Sequence, residues 1–553
     1  MMKNKLVALL MMCSIPCTVL AQTTVIHNIK GYTPTQKGEL ETFATLVIKD
    51  GRVINRGKAQ LSKSYPDAKR IDGQGKVLLP GLIDAHGHII GLGQNLMQLD
   101  LRGATSVAEV GKRLQAFAAQ SEQPWIIGRG WNQELWPGKT FASAADLDKF
   151  VSDRPVVLSR VDGHAIWVNS KAMELAGLDS EVTSPAGGEI IRTAQGNPSG
   201  VFIDKAEQLI TAHIPKRSEK ALATALDKAG QHLLSLGITS AHDAGIDFDT
   251  WQLYKQRAKD NNLPLRIYAM LGATDDKLET MLKAGKVDDN EDMLAIRSVK
   301  VYADGALGSR GAALLQDYAD RKGHRGLMLE DQQQLEDIFS LCFKHGFSAH
   351  THAIGDRANQ IVLNAYKNVF KRTGGILLRN RIEHAQIVDT DDIPRFKALK
   401  IIPSMQPVHA TSDMHMAEQR LSDSQLEGAY AWRTFLEQGS RVAAGSDFPV
   451  ELANPFHGLY SAITRQDHQG LPEQGWRPKE LLTREQALQA FTLDAAYSAF
   501  QEFKVGSLEK GKWADFILVD TDIIHAPVQQ VWQTKVLETW LAGQRRYQRQ
   551  PAL

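Results

Sequence analysis

Eight short apolar runs, separated by stretches of helical periodicity, organise the centre of this chain. They occupy residues 82–88, 237–242, 265–270, 298–303, 347–352, 380–384, 400–406 and 441–447. Parallel strands cannot be joined by tight hairpins, so helices between consecutive runs argue for a parallel α/β sheet. Eight such units are the number that closes a (β/α)8 barrel. The pattern predicts an α/β fold with a TIM-like barrel across residues 81–498.

Two features depart from a bare barrel. About 150 residues separate the first run from the second, well beyond an ordinary crossover. Strand-like pieces at 125–128, 155–158 and 165–168 lie in that gap. An insertion over about 105–230 is therefore expected to fold as a cap after strand one and to govern substrate choice. Residues 22–80 and 499–553 read as short strands broken by turns, with Asp50-Gly51 as a hairpin signal. Neither end alone has strands enough for a core, so both are expected to join in one composite β-sandwich.

Lys3 and Lys5 precede an apolar run over 6–12, and Val19-Leu20-Ala21 offers a small-residue cleavage site. Residues 1–21 thus read as a secretory signal peptide, which implies a periplasmic or secreted protein. The run is too short to span a bilayer, and no later segment is apolar enough to do so. Cys13 and Cys17 would leave with the leader, so Cys342 stands alone and an internal disulfide is impossible. With 64 Lys and Arg against 63 Asp and Glu, there is no electrostatic case for a nucleic-acid partner. A small-molecule substrate is the expected partner, with a homodimer as the one assembly in view.

The chemistry lies at the ends of the apolar runs. In Asp84-Ala85-His86-Gly87-His88, residues two apart share a face of the strand, so His86 and His88 point together with Asp84 below them. At the C-terminal end of a barrel strand that face lines the active-site mouth. Two imidazoles there suit zinc or a similar divalent ion. His352 ends the fifth run, His384 the sixth and Asp447 the eighth; polar residues placed repeatedly at the ends of apolar strands converge on one mouth. Lys300, on the fourth run, would be costly as an isolated inward charge. Either it pairs with an acid such as Asp304 or faces outward, or carbon dioxide carbamylates it into an anionic bridge between two metal ions.

The order His-x-His, Lys, His, His, Asp on strands one, four, five, six and eight resembles the amidohydrolase superfamily. Further motifs tie the chain to the amidohydrolase-3 branch, with its YtcJ-like proteins and N-substituted formamide deformylases. These are Gly128-Arg129-Gly130-Trp131-Asn132, the run from Asp162 to Asn169, the run from Asp304 to Ala312, the run from His350 to Arg357, and Gly445-Ser446-Asp447-Phe448-Pro449. The resemblance covers nearly all of the chain after the leader. It implies a TIM-like barrel, a composite β-sandwich and one or two divalent metal ions, with zinc foremost. It also favours the carbamate at Lys300.

On that basis the expected function is metal-dependent hydrolysis of a carbon–nitrogen bond in an amide, N-acyl or cyclic amide substrate. His86, His88 and Asp447 would hold one metal ion and His352 and His384 the second, with Lys300 bridging and Asp447 as general base. Trp131 and His164, on the cap, are either substrate contacts or structural residues. Tyr302 and Gln406 face the mouth as candidate substrate contacts, while His350, His242 and Asp243 read as supporting groups. Three rivals remain at this point: an esterase, lactonase or phosphotriesterase using the same metals, a deaminase, for which the extra acid–base Glu is not assigned, and a non-catalytic periplasmic regulatory protein that kept the fold.

Overall fold

The computed structural model describes residues 22–160, 165–185, 188–215 and 218–550. Residues 1–21, expected to be a leader, and His164 lie outside these residues.

All eight barrel strands are present: Leu82–Gly87, Ile238–Ile246, Arg266–Gly272, Leu294–Tyr302, Ser348–Ala353, Arg381–His384, Ile402–Met405 and Ala443–Ala444. They pair in parallel in sequence order. Strand eight is regular over only two residues, and the barrel closes through the segment just beyond it. Asp447 N donates to His86 O at 2.7 Å and His88 N to Phe448 O at 2.7 Å. Strands one and eight approach so tightly that a Cβ on Gly445 would lie 2.6 Å from both Asp84 Oδ1 and His86 N. Only glycine fits there.

The helices form for local reasons. Gln332–Lys344 begins with a reciprocal capping box between Asp331 and Gln334. It buries Leu335, Phe339, Cys342 and Phe343, the i, i+4, i+7, i+8 stripe of a helix laid on a sheet. Cys342 is a packing residue within that stripe.

The two chain ends build one β-domain around a shared core. Its hydrogen bonding runs through a single eight-stranded mixed sheet, and the ends meet where Val77–Pro80 pairs antiparallel with Phe516–Val519. Alternation decides which way each residue faces. Leu78, Phe516 and Leu518 join Ile26, Leu46 and Trp540 in the β-domain's own core. Their neighbours Val77, Leu79, Ile517 and Val519 pack into the barrel core. A fully buried ion pair, Arg266 Nε to Asp515 Oδ2 at 2.6 Å, ties barrel to β-domain.

The insertion is a folded cap with its own six-stranded sheet, from Leu99–Asp100 to Pro198–Asp204. Val156, Leu158, Ala165 and Trp167 line one of its cores; Val157, Ile166 and Val168 line the other. The cap therefore starts before residue 105 and ends well before 230. Helix Glu219–Ser235 belongs to the barrel, because Leu222, Leu226 and Leu233 sit in the barrel core. No helix among the described residues is long and apolar enough to cross a membrane.

Candidate metal centre

Strand one sets the geometry. His86 and His88 project from its end as alternation requires, and Asp84 beneath them acts as a knot. Asp84 accepts His86 N at 3.1 Å and Ser446 Oγ at 2.6 Å, which pins strand eight against strand one. Burial pushes the Asp84 carboxyl up to about 7 against these hydrogen bonds. Two further residues reach the mouth through unusual backbone. His384 has φ 75° and Asp447 φ 62°, left-handed conformations that cost non-glycine residues about 1–3 kcal/mol each. At His384 this turn matters, because its neighbour Glu383 already takes the inward position that strand alternation allows.

His86, His88, Lys300, Tyr302, His352, His384, His409 and Asp447 all line one cavity of about 400 Å³. His88 Nε2 lies 3.2 Å from Asp447 Oδ1, and His86 Nε2 lies 3.7 Å from the same oxygen. The rings of His352 and His384 are 4.5 Å apart, and those of His86 and His384 4.8 Å. In two groups sharing Asp447, His86–His88–Asp447 and His384–His409–Asp447, one ligand atom from each residue lies within 4.8 Å of the others.

The outer partners fix which nitrogen faces the cavity. His86 Nδ1 sits 2.6 Å from the Glu383 carboxylate, which can only accept, so Nδ1 carries the proton and Nε2 presents a lone pair. His384 Nδ1 likewise faces Gln406 Oε1 at 2.7 Å. Gln406 Nε2 turns to Ser404 O, which orients the amide that way. Among the described residues, Nε2 of His352 and Nε2 of His409 are buried without a hydrogen-bond partner. Burial holds His86 and His384 well below the ordinary imidazole range and His352 down to about 3. Neutral imidazoles with free lone pairs beside a carboxylate are a donor set that fits a divalent ion such as zinc. Burial would raise Asp447, but the His88 contact and the surrounding imidazoles outweigh it and keep the carboxyl well below its usual range.

Lys300 faces inward, with Nζ 3.1 Å from His86 Nε2. Burial pushes its ammonium down to about 8, against the pull of Glu383 and Asp447. An outward register is excluded. Asp304 is also engaged elsewhere, accepting the backbone N–H groups of Ala313, Ile354 and Gly355.

Two of the expected substrate contacts lie elsewhere. Trp131 is 1% exposed in the cap core, its ring tilted against Trp136 and edge to face with Trp167 and Phe141, and its indole donates to Leu158 O. It is a packing residue because its alternation points it into the cap rather than toward the barrel. Gln406 is buried behind His384 and positions that ring. Tyr302 lines the cavity as expected. His350 is buried, bonded to Ser348 Oγ and near Met270 Sδ. His242 contacts Arg381, and Asp243 holds Tyr254 and Ile89 N. No described cap residue lines the cavity, so the cap's control of substrate choice finds no contact among the described residues.

The sequence reading missed His409 and Glu383. His409 lies on helix Pro407–Arg420, three residues beyond Gln406, with Nε2 3.9 Å from Asp447 Oδ2. Glu383 was visible beside His384, and strand alternation placed it inward.

Known proteins resemble this chain along most of its length. Residues 69–547 match the amidohydrolase family. "Protein LONG AFTER FAR-RED 3" of Arabidopsis thaliana is 32% identical over 93% of this chain and 90% of its own. "N-substituted formamide deformylase" of Arthrobacter pascens is 25% identical over 88% of this chain and 91% of its own. An uncharacterized metal-dependent hydrolase from Pyrococcus furiosus superposes with a TM-score of 0.77 at 26% identity, covering 91% of this chain and all of that one.

Proposed function

Because the chain belongs to the amidohydrolase family, we propose that it hydrolyses a carbon–nitrogen bond, other than a peptide bond, in an amide, N-acyl or cyclic amide substrate. The observation that carries this reading is the convergence of the imidazoles and Asp447 on the cavity that Lys300 also faces. His86, His88 and Asp447 would hold one divalent ion, and His352 and His384 a second, with His409 beside it. Carbamylation of Lys300 by carbon dioxide, with loss of two protons from the ammonium form, would replace its positive charge by a carbamate anion. That charge reversal makes a buried side chain between cationic sites favourable rather than costly.

When bound, such an ion lowers the pKa of a water molecule from 15.7 toward ~7 and polarises the scissile carbonyl. Asp447 takes the proton from the attacking water and delivers it to the leaving nitrogen, which would otherwise depart as an unstable anion. Glu383 and Gln406 keep the His86 and His384 lone pairs aimed inward throughout. Tyr302 offers its phenol to the substrate at the cavity wall.

The formamide deformylase similarity supports the choice of a C–N bond. A screen of the metal-loaded protein against N-acyl amines, N-acyl amino acids, formamides, lactams and lactones tests it. Turnover of at least one amide class is expected; turnover of lactones alone would make the protein a lactonase instead. The leader-like N-terminus supports export, so protein recovered outside the cytoplasm should begin at Gln22. A start at Met1 contradicts this.

A further inference from the structure

A second cavity of about 250 Å³ adjoins the catalytic one, and Ser412 and Glu451 line both. Ser412 Oγ donates to Glu451 Oε1 at 2.6 Å, so this pair forms the wall between them. It is the one hydrogen bond of Glu451 among the described residues. On either side of Glu451 the chain exposes apolar surface. Val450 lines the catalytic cavity and is 71% exposed, while Leu452 lines the second and is 57% exposed. Large apolar side chains left open at the rim of a cavity mark a surface that gains from being covered.

The charge of the two cavities is one-sided. Asp413, Asp447, Glu451 and Asp467 line them, and Lys300 is the one Lys or Arg among their described lining residues. Two rings lining the second cavity, His457 and His468, meet edge to face at 4.6 Å, and His468 forms a ring stack with Trp532 behind it at 4.2 Å. Burial brings His457 down to about 4 and also lowers His468, so it disfavours a positive charge on either ring. Of these carboxylates, Asp413 is engaged by Tyr430 and Gln386, and Asp467 by the N–H groups of Gln469 and Leu471. Glu451 is the acid left to meet a ligand.

We infer that the second cavity is a substrate subsite, and that Glu451 selects a cationic group carried on an apolar arm of the substrate. The arm would run from the scissile bond across Val450 and Leu452, with its ammonium at Glu451 beside the ring stack, where an aromatic face also favours a cation. The inference rests on the hydrolase reading for the position of the scissile bond, but not for the charge preference.

Three matched probes separate the two. N-acetyl-1,6-diaminohexane is cationic, N-hexylacetamide neutral and 6-acetamidohexanoate anionic, each an acetamide on an arm of similar length. Calorimetric binding to the metal-loaded wild type should favour the cation over the anion about tenfold at low salt, as expected for one close charge contact. Glu451→Gln should remove most of that preference, and Glu451→Lys should reverse it. Equal binding of all three, no binding of any, or a preference that survives both substitutions would overturn the subsite. Cation-selective binding without amide turnover would leave the subsite standing and sink the hydrolase reading. Turnover of all three at one rate would do the opposite.

Discussion

The Nδ1 of His86 lies 2.6 Å from the Glu383 carboxylate, and neither side chain is exposed to solvent. A buried carboxylate on the far nitrogen fixes the tautomer and raises the basicity of the near one. Glu383→Gln keeps the shape but removes the charge. Metal affinity should fall about 10–100-fold, the usual cost of losing such an outer partner, measured by competition with a chelating dye. Unchanged affinity would mean that the pair is only structural.

Lys300 is the second test. Lys300→Ala should lose metal and activity together, and formate or acetate at high concentration should partly restore both by filling the vacated place. Lys300→Arg should fail as well, since a guanidinium keeps its charge and cannot form a carbamate. Full metal occupancy with near-normal turnover in Lys300→Ala would contradict a bridging role, and metal analysis decides it.

How much of this centre the sequence revealed depends on backbone geometry. His86, His88, Lys300 and His352 sit on or at the end of regular strands, where a period of two fixes the inward face, so their convergence was readable. His384 was readable from its place at a strand end, but its left-handed backbone, which lets it and Glu383 both face inward, was not. His409 escaped because it projects from a helix, where no alternation points at the mouth. Gln406 was readable at the end of strand seven, but its hydrogen bond to His384 Nδ1 at 2.7 Å is visible only in the fold.

Trp131 illustrates the same limit, and its corrected place makes a prediction. Its burial among Trp136, Trp167 and Phe141 means that Trp131→Ala should cost about 3–5 kcal/mol of cap stability through the cavity left behind. Urea unfolding monitored by tryptophan fluorescence reads this directly. Relative rates among substrates should hold in the protein that remains folded; a change in substrate ranking without loss of stability would return Trp131 to the site.

The Arg266–Asp515 pair predicts how barrel and β-domain depend on each other. Arg266 Nε and Nη2 reach both oxygens of Asp515, at 2.6 and 3.1 Å, with both side chains buried. Asp515→Ala would strand a buried guanidinium, at a cost of about 3–5 kcal/mol. Replacing both residues with apolar ones should cost far less than the single change. A denaturation midpoint unmoved by Asp515→Ala would contradict the burial.

The central claim, metal-dependent cleavage of a C–N bond at this cavity, is tested most directly by amine release from the best amide or formamide substrate, measured on one preparation as isolated, after removal of metal by a chelator, and after zinc is returned. The account predicts that release stops on stripping, returns with zinc, and is absent from Asp447→Asn under all three conditions. Release that continues at the same rate in the stripped protein, or that persists in Asp447→Asn, would contradict it.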